Sequence, residues 1–197
     1  PGTYDFTYVV MTVACPNDSA TLTVTVDPEN EAGSATGLDV CETNSSVNLF
    51  DGLMGEDAGG SWNDDDGTGA LTDSIFDATQ VSPGDYDFTY SVTGGSCPSD
   101  QVTLTVSVDK EPEAGTASPL SVCVTETAVN LFSGLTGEDS GGSWNDDDNT
   151  GALTDSLFDA SAAGPGTYDF TYLVTSAECP DDSVTLSVTV DPENEAG

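Results

Sequence analysis

The sequence predicts an all-β fold made of tandem immunoglobulin-like β-sandwich domains in an extended array. The first observation behind this prediction is an internal repeat, because residues 31–112 and 113–194 are identical at 54 of 82 positions without insertion or deletion. The second is a strict alternation of apolar and polar residues in segments such as 102–108, which is typical of half-buried strands. No window of ten residues has a convincing helical period, so we expect few helices.

The repeat divides the chain into four parts. We predict that residues 1–30 are the C-terminal half of a preceding repeat and that 195–197 begin a further one, with complete immunoglobulin-like repeats at 31–112 and 113–194. The array is therefore expected to continue beyond both ends of this sequence. Stacked domains with short linkers form a quasi-one-dimensional rod, and like charges on neighbouring domains favour extension over collapse.

Each repeat contains enough strand signals for a sandwich. The short apolar stretches predicted to be strands are 38–41, 47–53, 61–62 and 71–76. Tyr86, Phe88 and Tyr90 alternate with polar residues, so we expect them on one buried strand face. The glycine- and proline-containing segment 94–100 separates this strand from 102–108 and predicts a hairpin. Trp62 and Trp144 are predicted to be buried sandwich tryptophans, the alternative being platforms for stacking a sugar.

The charge balance excludes several classes of function. The chain has 36 Asp and Glu against one lysine, no arginine and no histidine, a net charge of −35. Nucleic-acid binding needs basic residues to neutralise phosphates, and most nucleophilic or zinc sites need histidine. Paired carboxylates remain available for glycoside hydrolysis, but near-identical domains without a cleft-forming insertion argue against it. We predict a non-enzyme without a nucleic-acid partner and without a membrane-spanning segment.

The acidic residues cluster in one loop region of each repeat, which predicts calcium. Three consecutive aspartates repel one another, and calcium takes six to eight oxygen ligands of this kind. The alternative is a solvated acidic turn that keeps the protein soluble. The candidate calcium ligands of the two repeats are Glu56, Asp57, Asp64, Asp65, Asp66, Asp73 and Asp77, and then Glu138, Asp139, Asp146, Asp147, Asp148, Asp155 and Asp159.

The domain junctions are a weaker candidate for calcium, because acidic residues recur at each of them. A cation there would stiffen the joint between neighbouring domains, an arrangement that resembles the cadherins. The alternative is a short, proline-stiffened acidic linker that needs no ion. Lys110 lies inside one junction and offsets part of its charge. The candidate junction ligands are Asp27, Glu29, Glu31, Asp109, Glu111 and Glu113.

The five cysteines follow the repeat as well. Cys41 and Cys97 are 56 positions apart, and Cys123 and Cys179 repeat that spacing, so we predict a disulfide within each repeat. Cys15 is then expected to pair with a residue outside this sequence. The alternative is two buried free thiols in each domain. Disulfides together with extreme acidity predict a location outside the cytoplasm.

The repeat resembles a known class of surface protein. The pattern PGTYDFTYxV…CPxDxVTLTVxV, preceded by LFxGLxGEDxGGSWxDDDxTGALT, is similar to the tandem Ig-like or PKD-like repeats of giant Bacteroidota adhesins. That class includes gliding-motility adhesins exported by the type IX secretion system. The resemblance covers both complete repeats and the half repeat. It implies an extracellular stalk that holds an adhesive end away from the cell, and it brings no catalytic residues.

Four Asp-Ser-aliphatic triplets match an O-glycosylation sequon known in the Bacteroidota. Composition alone would produce about two such matches, so the signal is weak. The acceptor serines would be Ser19, Ser74, Ser156 and Ser183.

The sequence therefore predicts a structural stalk or filament segment, stiffened by calcium, whose partners are neighbouring repeats of the same chain. Two alternatives stay open. One is a self-assembling filament in which other copies make contacts between chains and supply a sheet to the orphan strands of residues 1–30. The other is a carbohydrate-binding module that uses Trp62 and Trp144.

Overall fold

The computed structural model describes residues 1–194, and the predicted start of a further repeat at 195–197 lies outside the described residues. The described chain begins with an isolated hairpin of β1 (Gly2–Val10) and β2 (Asp18–Val26). The strands of the next repeat are β3 (Ser34–Ala35), β4 (Leu38–Cys41), β5 (Val47–Asn48), β6 (Leu53–Met54), β7 (Ser61–Asp64), β8 (Leu71–Thr72), β9 (Ile75–Phe76), β10 (Gly84–Val92) and β11 (Asp100–Asp109).

The last repeat has the same strands in the same order. They are β12 (Thr116–Ala117), β13 (Leu120–Cys123), β14 (Val129–Asn130), β15 (Leu135–Thr136), β16 (Ser143–Asp146), β17 (Leu153–Thr154), β18 (Leu157–Phe158), β19 (Gly166–Val174) and β20 (Asp182–Asp191). The helical segments are the 3-10 turns Leu49–Gly52, Ala78–Gln80 and Leu131–Gly134 and one α-helical turn, α1 (Ala160–Ala163). The all-β prediction is confirmed.

Two compact units divide the chain. The first comprises Pro1–Asp39 and Ser45–Val108, and the second comprises Val40–Asn44 and the chain from Asp109 onward. Each complete repeat forms a four-stranded sheet facing a three-stranded one, with orders β4-β11-β10-β7 and β5-β9-β8 in the first repeat. In the last repeat the orders are β13-β20-β19-β16 and β14-β18-β17. This is the arrangement of an immunoglobulin-like sandwich.

The core lies between the two sheets, where the alternating residues of the long hairpin point. Phe88, Tyr90 and Leu104 are fully buried and Tyr86 is half-buried, so the predicted inward face of β10 is confirmed. β10 and β11 pair antiparallel, as the turn residues between them predicted. Phe76 of the opposite sheet packs against Phe88 with ring centroids 5.0 Å apart. Such aromatic contacts across the layers join the two sheets.

One edge of the four-stranded sheet in the last repeat is a short parallel strand. β13 pairs in parallel with the last strand, β20, so that Cys123 lies opposite Asp191 at the carboxyl end of that strand. β4 holds the same edge position beside β11. The first cysteine of each repeat therefore lies at the end where the long final strand leaves the domain.

The hairpin of β1 and β2 has the same sequence pattern as β10 and β11, but no sheet within residues 1–194 packs on it. Phe6 and Leu22 are cross-strand partners and are 59% and 65% exposed, whereas their repeat equivalents Phe88 and Leu104 are fully buried. A two-stranded hairpin alone has too little apolar burial for independent stability. Its apolar face is thus the part of the chain that lacks the opposite layer of a sandwich.

Candidate functional site

The aspartates of the acidic loop between β7 and β8 are held by separate hydrogen bonds. The Asp64 carboxylate accepts from the Thr68 hydroxyl and from the Gly69 amide, both at 2.9 Å. The same bonds occur at Asp146 in the last repeat, with Thr150 at 2.8 Å and Gly151 at 3.0 Å. This first aspartate therefore closes its own loop.

The next two aspartates turn towards β10 instead. Asp65 accepts from the Thr89 hydroxyl at 2.6 Å, and Asp66 accepts from the Asp87 amide at 2.7 Å. In the last repeat the corresponding acceptors, Asp147 and Asp148, bind Thr171 and the Asp169 amide in the same way. The three carboxylates therefore point to different donors, which separates their charges without a cation.

The remaining candidate ligands have structural positions of their own. The Asp57 carboxylate accepts a hydrogen bond from the Glu31 amide at 3.0 Å. Asp77 caps the 3-10 turn that follows β9 and accepts from Thr79, while Asp159 caps α1. Asp73 and Asp155 adopt positive φ in the turn between two short strands, a conformation that aspartate tolerates better than most residues. Glu56 and Glu138 are half-buried.

Taken together, these residues do not fit calcium as the loops stand. Within residues 1–194, no three carboxylates or thiols converge in a group that could hold a metal ion. One oxygen of Asp64, and the equivalent oxygen of Asp146, is buried without a hydrogen-bond partner. A single orphaned oxygen supplies far fewer ligands than the six to eight that calcium takes.

The hydrogen bonds of Asp64 also affect its protonation. Burial alone would raise its pKa, but the amide of Gly69 and the amide and hydroxyl of Thr68 together lower the pKa below the ordinary value of 3.8. The pKa of Asp146 is lowered by the equivalent donors against the same effect of burial. Both carboxylates are therefore better acceptors when ionised, and they stabilise the folded loops in that form.

We expect acid to weaken both units through these two residues. A group with a lowered folded pKa contributes stability above its unfolded pKa near 3.8, and this contribution is lost as the pH falls through the folded value. The double variant Asp64→Asn, Asp146→Asn should lose about 1–2 kcal/mol in each unit at pH 7, because charge-assisted hydrogen bonds become neutral ones. Urea unfolding as a function of pH measures this, and the difference from the unsubstituted chain should shrink as the pH falls below 3.8 and through the lowered folded pKa values.

The matched control removes the same charge from exposed turns. Asp73→Asn, Asp155→Asn keeps residues that tolerate positive φ and should leave the unfolding free energy within about 0.5 kcal/mol at every pH. If the control lost as much stability as the test pair, general charge effects rather than these hydrogen bonds would explain the result.

The junction residues are organised mainly by hydrogen bonds from backbone and amide groups. In the first unit Asp27 accepts from the Ser96 amide at 2.9 Å, and Asn30 donates to the carbonyl of Pro98 at 2.8 Å. The Ala32 amide donates to the Asp100 carboxylate at 2.8 Å. Residues 27–32 are thereby fastened to the loop between β10 and β11. Asn30 and Asp100 are not among the predicted junction residues, although Asp100 has an equivalent in Asp182.

The junction in the second unit adds an ion pair. Lys110 reaches both oxygens of Asp139 at 2.8 and 2.9 Å, and the Glu113 amide donates to the same carboxylate at 3.0 Å. The hydrogen bond from Lys110 lowers the pKa of Asp139, and the same contact raises the pKa of Lys110. Glu111 donates its amide to the Glu42 side chain at 2.8 Å. Protein groups therefore hold this linker, and a cation at the junction stays a prediction.

The disulfide prediction was wrong in its pairing. The structure joins Cys41 to Cys179, 138 positions apart, with Cα atoms 4.8 Å apart. Cys15, Cys97 and Cys123 are unpaired in the described chain. The bond lies within the second unit, and in sequence terms it joins the first cysteine of repeat 31–112 to the second cysteine of repeat 113–194.

Strand geometry explains why a repeat cannot bridge itself. Cys41 ends β4 beside Asp109, since the Glu42 amide donates to the Asp109 carbonyl at 2.9 Å. Cys97 precedes the other end of β11, which has ten residues. At about 3.3 Å per residue the two cysteines lie roughly 30 Å apart, far beyond disulfide reach. Cys123 and Cys179 are separated in the same way by β20.

The tryptophans are half-buried and pack on aromatic neighbours. The Trp62 ring lies 5.1 Å from Tyr90 and 5.6 Å from Phe50, measured between centroids. Beside it is a cavity of about 420 Å³ lined in part by Asp73 and Ser74, and Trp144 lines an equivalent cavity of about 430 Å³. These contacts support the predicted packing role. Sugar stacking at the cavity stays a prediction.

Of the four candidate glycosylation sites, Ser19 and Ser183 are exposed at the start of long strands, whereas Ser74 and Ser156 are half-buried. Their modification stays a prediction. Among residues 1–194, no helix has the length and apolar character needed to cross a membrane.

Comparisons with known proteins found similarity in structure alone. No family model and no curated protein matches the chain. The structure is similar to a Ca²⁺-stabilised adhesin with which an Antarctic bacterium binds ice, with 15% identity and a TM-score of 0.36 over 100% of this chain and 58% of that one. It is also similar to Drosophila N-cadherin, with 13% identity and a TM-score of 0.45 over 98% of this chain and 59% of that one.

A third similar structure is a fragment of the titin I-band, with 13% identity and a TM-score of 0.44 over 98% of this chain and 75% of that one. The chain thus spans little more than half of the adhesin and cadherin structures that it matches. Its structural neighbours are tandem immunoglobulin-like and cadherin-like domains.

Proposed function

We propose that this chain is a non-catalytic, load-bearing stalk segment of a large extracellular bacterial adhesin. The observation that carries the proposal is the disulfide between Cys41 and Cys179, which encloses 138 positions of tandem sandwich. Force applied to the two ends passes through that bond, so the residues between the cysteines cannot be pulled out. A segment built in this way keeps its length under load, which is what a stalk requires.

The charge and the repeat support the same function. Near-identical sandwiches at a fixed spacing add length without adding new chemistry. A net charge of −35 makes neighbouring stalks repel and discourages exposed strand edges from pairing between chains. The Bacteroidota host, the type IX export route and a gliding adhesin as the complete protein are part of this proposal, and they rest on the sequence resemblance.

Pulling the chain by its ends in a single-molecule force experiment tests the load-bearing role. Under oxidising conditions we expect no extension from the region between Cys41 and Cys179. After a thiol reductant is added, unfolding should release about 480 Å more, at roughly 3.5 Å per residue. If the oxidised chain extended as far as the reduced one, the disulfide would not carry the force, and the load-bearing role would be contradicted. Immunogold labelling of the source cells with an antibody to the repeat tests the surface location.

We propose further that the acidic loops fold without calcium, because hydrogen bonds already hold them. We therefore expect equal melting curves for the full chain in calcium and in magnesium at matched ionic strength, with EDTA as the ion-free reference. A bound ion stabilises the folded state by an amount that grows with its concentration. A calcium-specific rise of this form would show that the loops rearrange into a site, and it would restore calcium stiffening to the proposal.

A second candidate function is a self-assembling filament, which the exposed face of the first hairpin favours. Phe6 and Leu22 offer an apolar surface to a second chain. Sedimentation velocity at rising concentration should then reveal association that Phe6→Asp, Leu22→Asp abolishes. A chain that stays monomeric across that range would leave the stalk as the better function.

A further inference from the structure

The disulfide forms around one point of the second unit, the end of β11. Cys41 is held beside this point because the amide of the next residue, Glu42, donates to the Asp109 carbonyl at 2.9 Å. The Cys179 sulfur lies 3.6 Å from the same carbonyl. Both cysteines are buried, with 1% and 6% of their surface exposed. The bonding site is therefore composed of a first cysteine, a second cysteine and the carbonyl between them.

Cys97 is the second cysteine of its repeat, and its sulfur lies against the backbone carbonyl equivalent to the one beside Cys179. Its sulfur lies 3.8 Å from the carbonyl of Asp27, which is the repeat equivalent of Asp109. The local backbone is held there, since the Ser96 amide donates to the Asp27 carboxylate. This half of a bonding site is complete, and it lacks the first cysteine of the repeat that precedes 31–112.

Cys123 is the first cysteine of its repeat, and its surroundings reproduce those of Cys41. The Val124 amide donates to the Asp191 carbonyl at 2.9 Å, as Glu42 does to Asp109. The Thr125 hydroxyl lies 3.3 Å from the Cys123 sulfur, and the Thr43 hydroxyl lies 3.2 Å from that of Cys41. This half-site is also complete, and it lacks the second cysteine of a following repeat.

We propose that wherever these repeats stand in tandem, the first cysteine of each repeat bonds to the second cysteine of the next one. Each repeat then carries two bonds, one forward from its first cysteine and one backward from its second. We call this series of disulfides the ladder and each of its disulfides a rung. Cys97 and Cys123 each supply one half of a rung, and their partners belong to adjacent copies of the repeat. This inference goes beyond the stalk function and does not depend on it.

The chemistry of each rung is an ordinary thiol oxidation. Two cysteine thiols lose two protons and two electrons and form one sulfur–sulfur bond. A second disulfide, such as oxidised glutathione or an oxidised thiol oxidoreductase, accepts them and becomes two thiols.

The ladder would limit the extension of the whole array. A second cysteine and the first cysteine of the following repeat, such as Cys97 and Cys123, are 26 positions apart. Force along the array would pass through one disulfide, then along the 26 positions of backbone, then through the next disulfide. Most residues of every two repeats would therefore bear no force. A chain with bonds inside each repeat would leave every linker without this cross-link.

The test extends the full chain by one further copy of residues 113–194, joined after Asn194. The extended protein is refolded in a mixture of oxidised and reduced glutathione, alkylated with iodoacetamide and cleaved at its acidic residues. We expect two linked peptide pairs, Cys41 with Cys179 and Cys123 with the second cysteine of the added copy. Cys15 and Cys97 should be alkylated in both the original and the extended chains, and Cys123 in the original chain alone.

Cys179→Ser in the extended chain is the matched control. It should free Cys41 for alkylation and leave the bond of Cys123 in place, because the rungs are independent. Alkylated Cys123 in the extended chain would overturn the ladder. A bond between the two cysteines of the added copy, or between Cys123 and Cys179, would overturn it as well.

Discussion

Replacing Cys41 with serine should destabilise the second unit more than any other single substitution considered for this chain. The bond closes a loop of 138 positions, and the chain-entropy relation gives about 5 kcal/mol for a loop of that length. Calorimetry under oxidising conditions measures the effect as a lowered melting temperature. The same loss should follow Cys179→Ser, because either change removes the same cross-link.

Cys97→Ser is the control for this experiment. Cys97 is the repeat equivalent of Cys179 and is unpaired in the described chain, so its substitution should shift the melting temperature little. A thiol reductant should lower the melting temperature of the unsubstituted chain and leave that of Cys41→Ser unchanged. A Cys97→Ser chain as unstable as Cys41→Ser would show that Cys97 forms a bond absent from this structure.

The cysteine pairing could not be predicted from spacing, because a tandem repeat makes the spacing ambiguous. Any second cysteine has a first cysteine in its own repeat and another in each neighbouring repeat. The choice depends on the direction of β4, a strand of four residues at the edge of the sheet. Its alternation is too short to show whether it pairs in parallel or antiparallel, whereas in the structure the hydrogen bond from the Glu42 amide to the Asp109 carbonyl places Cys41 at the far end of β11 from Cys97.

The core was predictable, because it depends on local alternation. Phe88 and Tyr90 alternate with polar residues over a strand long enough to define which face is buried. Their burial then follows from pairing with β11 and from packing against Phe76. The same pattern in β1 and β2 predicts strands correctly, but their exposure depends on whether an opposite sheet is present.

The geometry of the acidic loops, unlike the core, could not be predicted from the sequence. Composition identifies Asp64, Asp65 and Asp66 as a cluster but carries no information about the donors that each carboxylate meets. One of these donors, Thr89, is 24 positions away from Asp65 on another strand. A cation site needs the carboxylates to converge, and the register between β7 and β10 separates them instead.

Gly60→Ala should be the second most damaging substitution, because no side chain fits at this position. A Cβ atom there would lie 2.5 Å from the Ser91 carbonyl oxygen and 2.6 Å from the Tyr90 ring. Tyr90 cannot turn away, since its hydroxyl accepts from the Gly60 amide at 3.0 Å and donates to the Asp57 carbonyl at 2.8 Å. The clash therefore pushes β7 away from β10, at a cost of about 2–3 kcal/mol in the first unit.

Urea unfolding of the full chain followed by tryptophan fluorescence measures this loss, since Trp62 is on β7 beside the clash. Gly94→Ala is the matched control, because a Cβ atom at Gly94 meets only the Asn30 side chain at an ordinary 3.5 Å. Gly142→Ala should reproduce the loss in the second unit, where the same carbonyl and tyrosine contacts recur at Leu173 and Tyr172. Equal stability of Gly60→Ala and Gly94→Ala would mean that β7 is free to shift, and the tyrosine hydrogen bonds would then not fix the edge of the sheet.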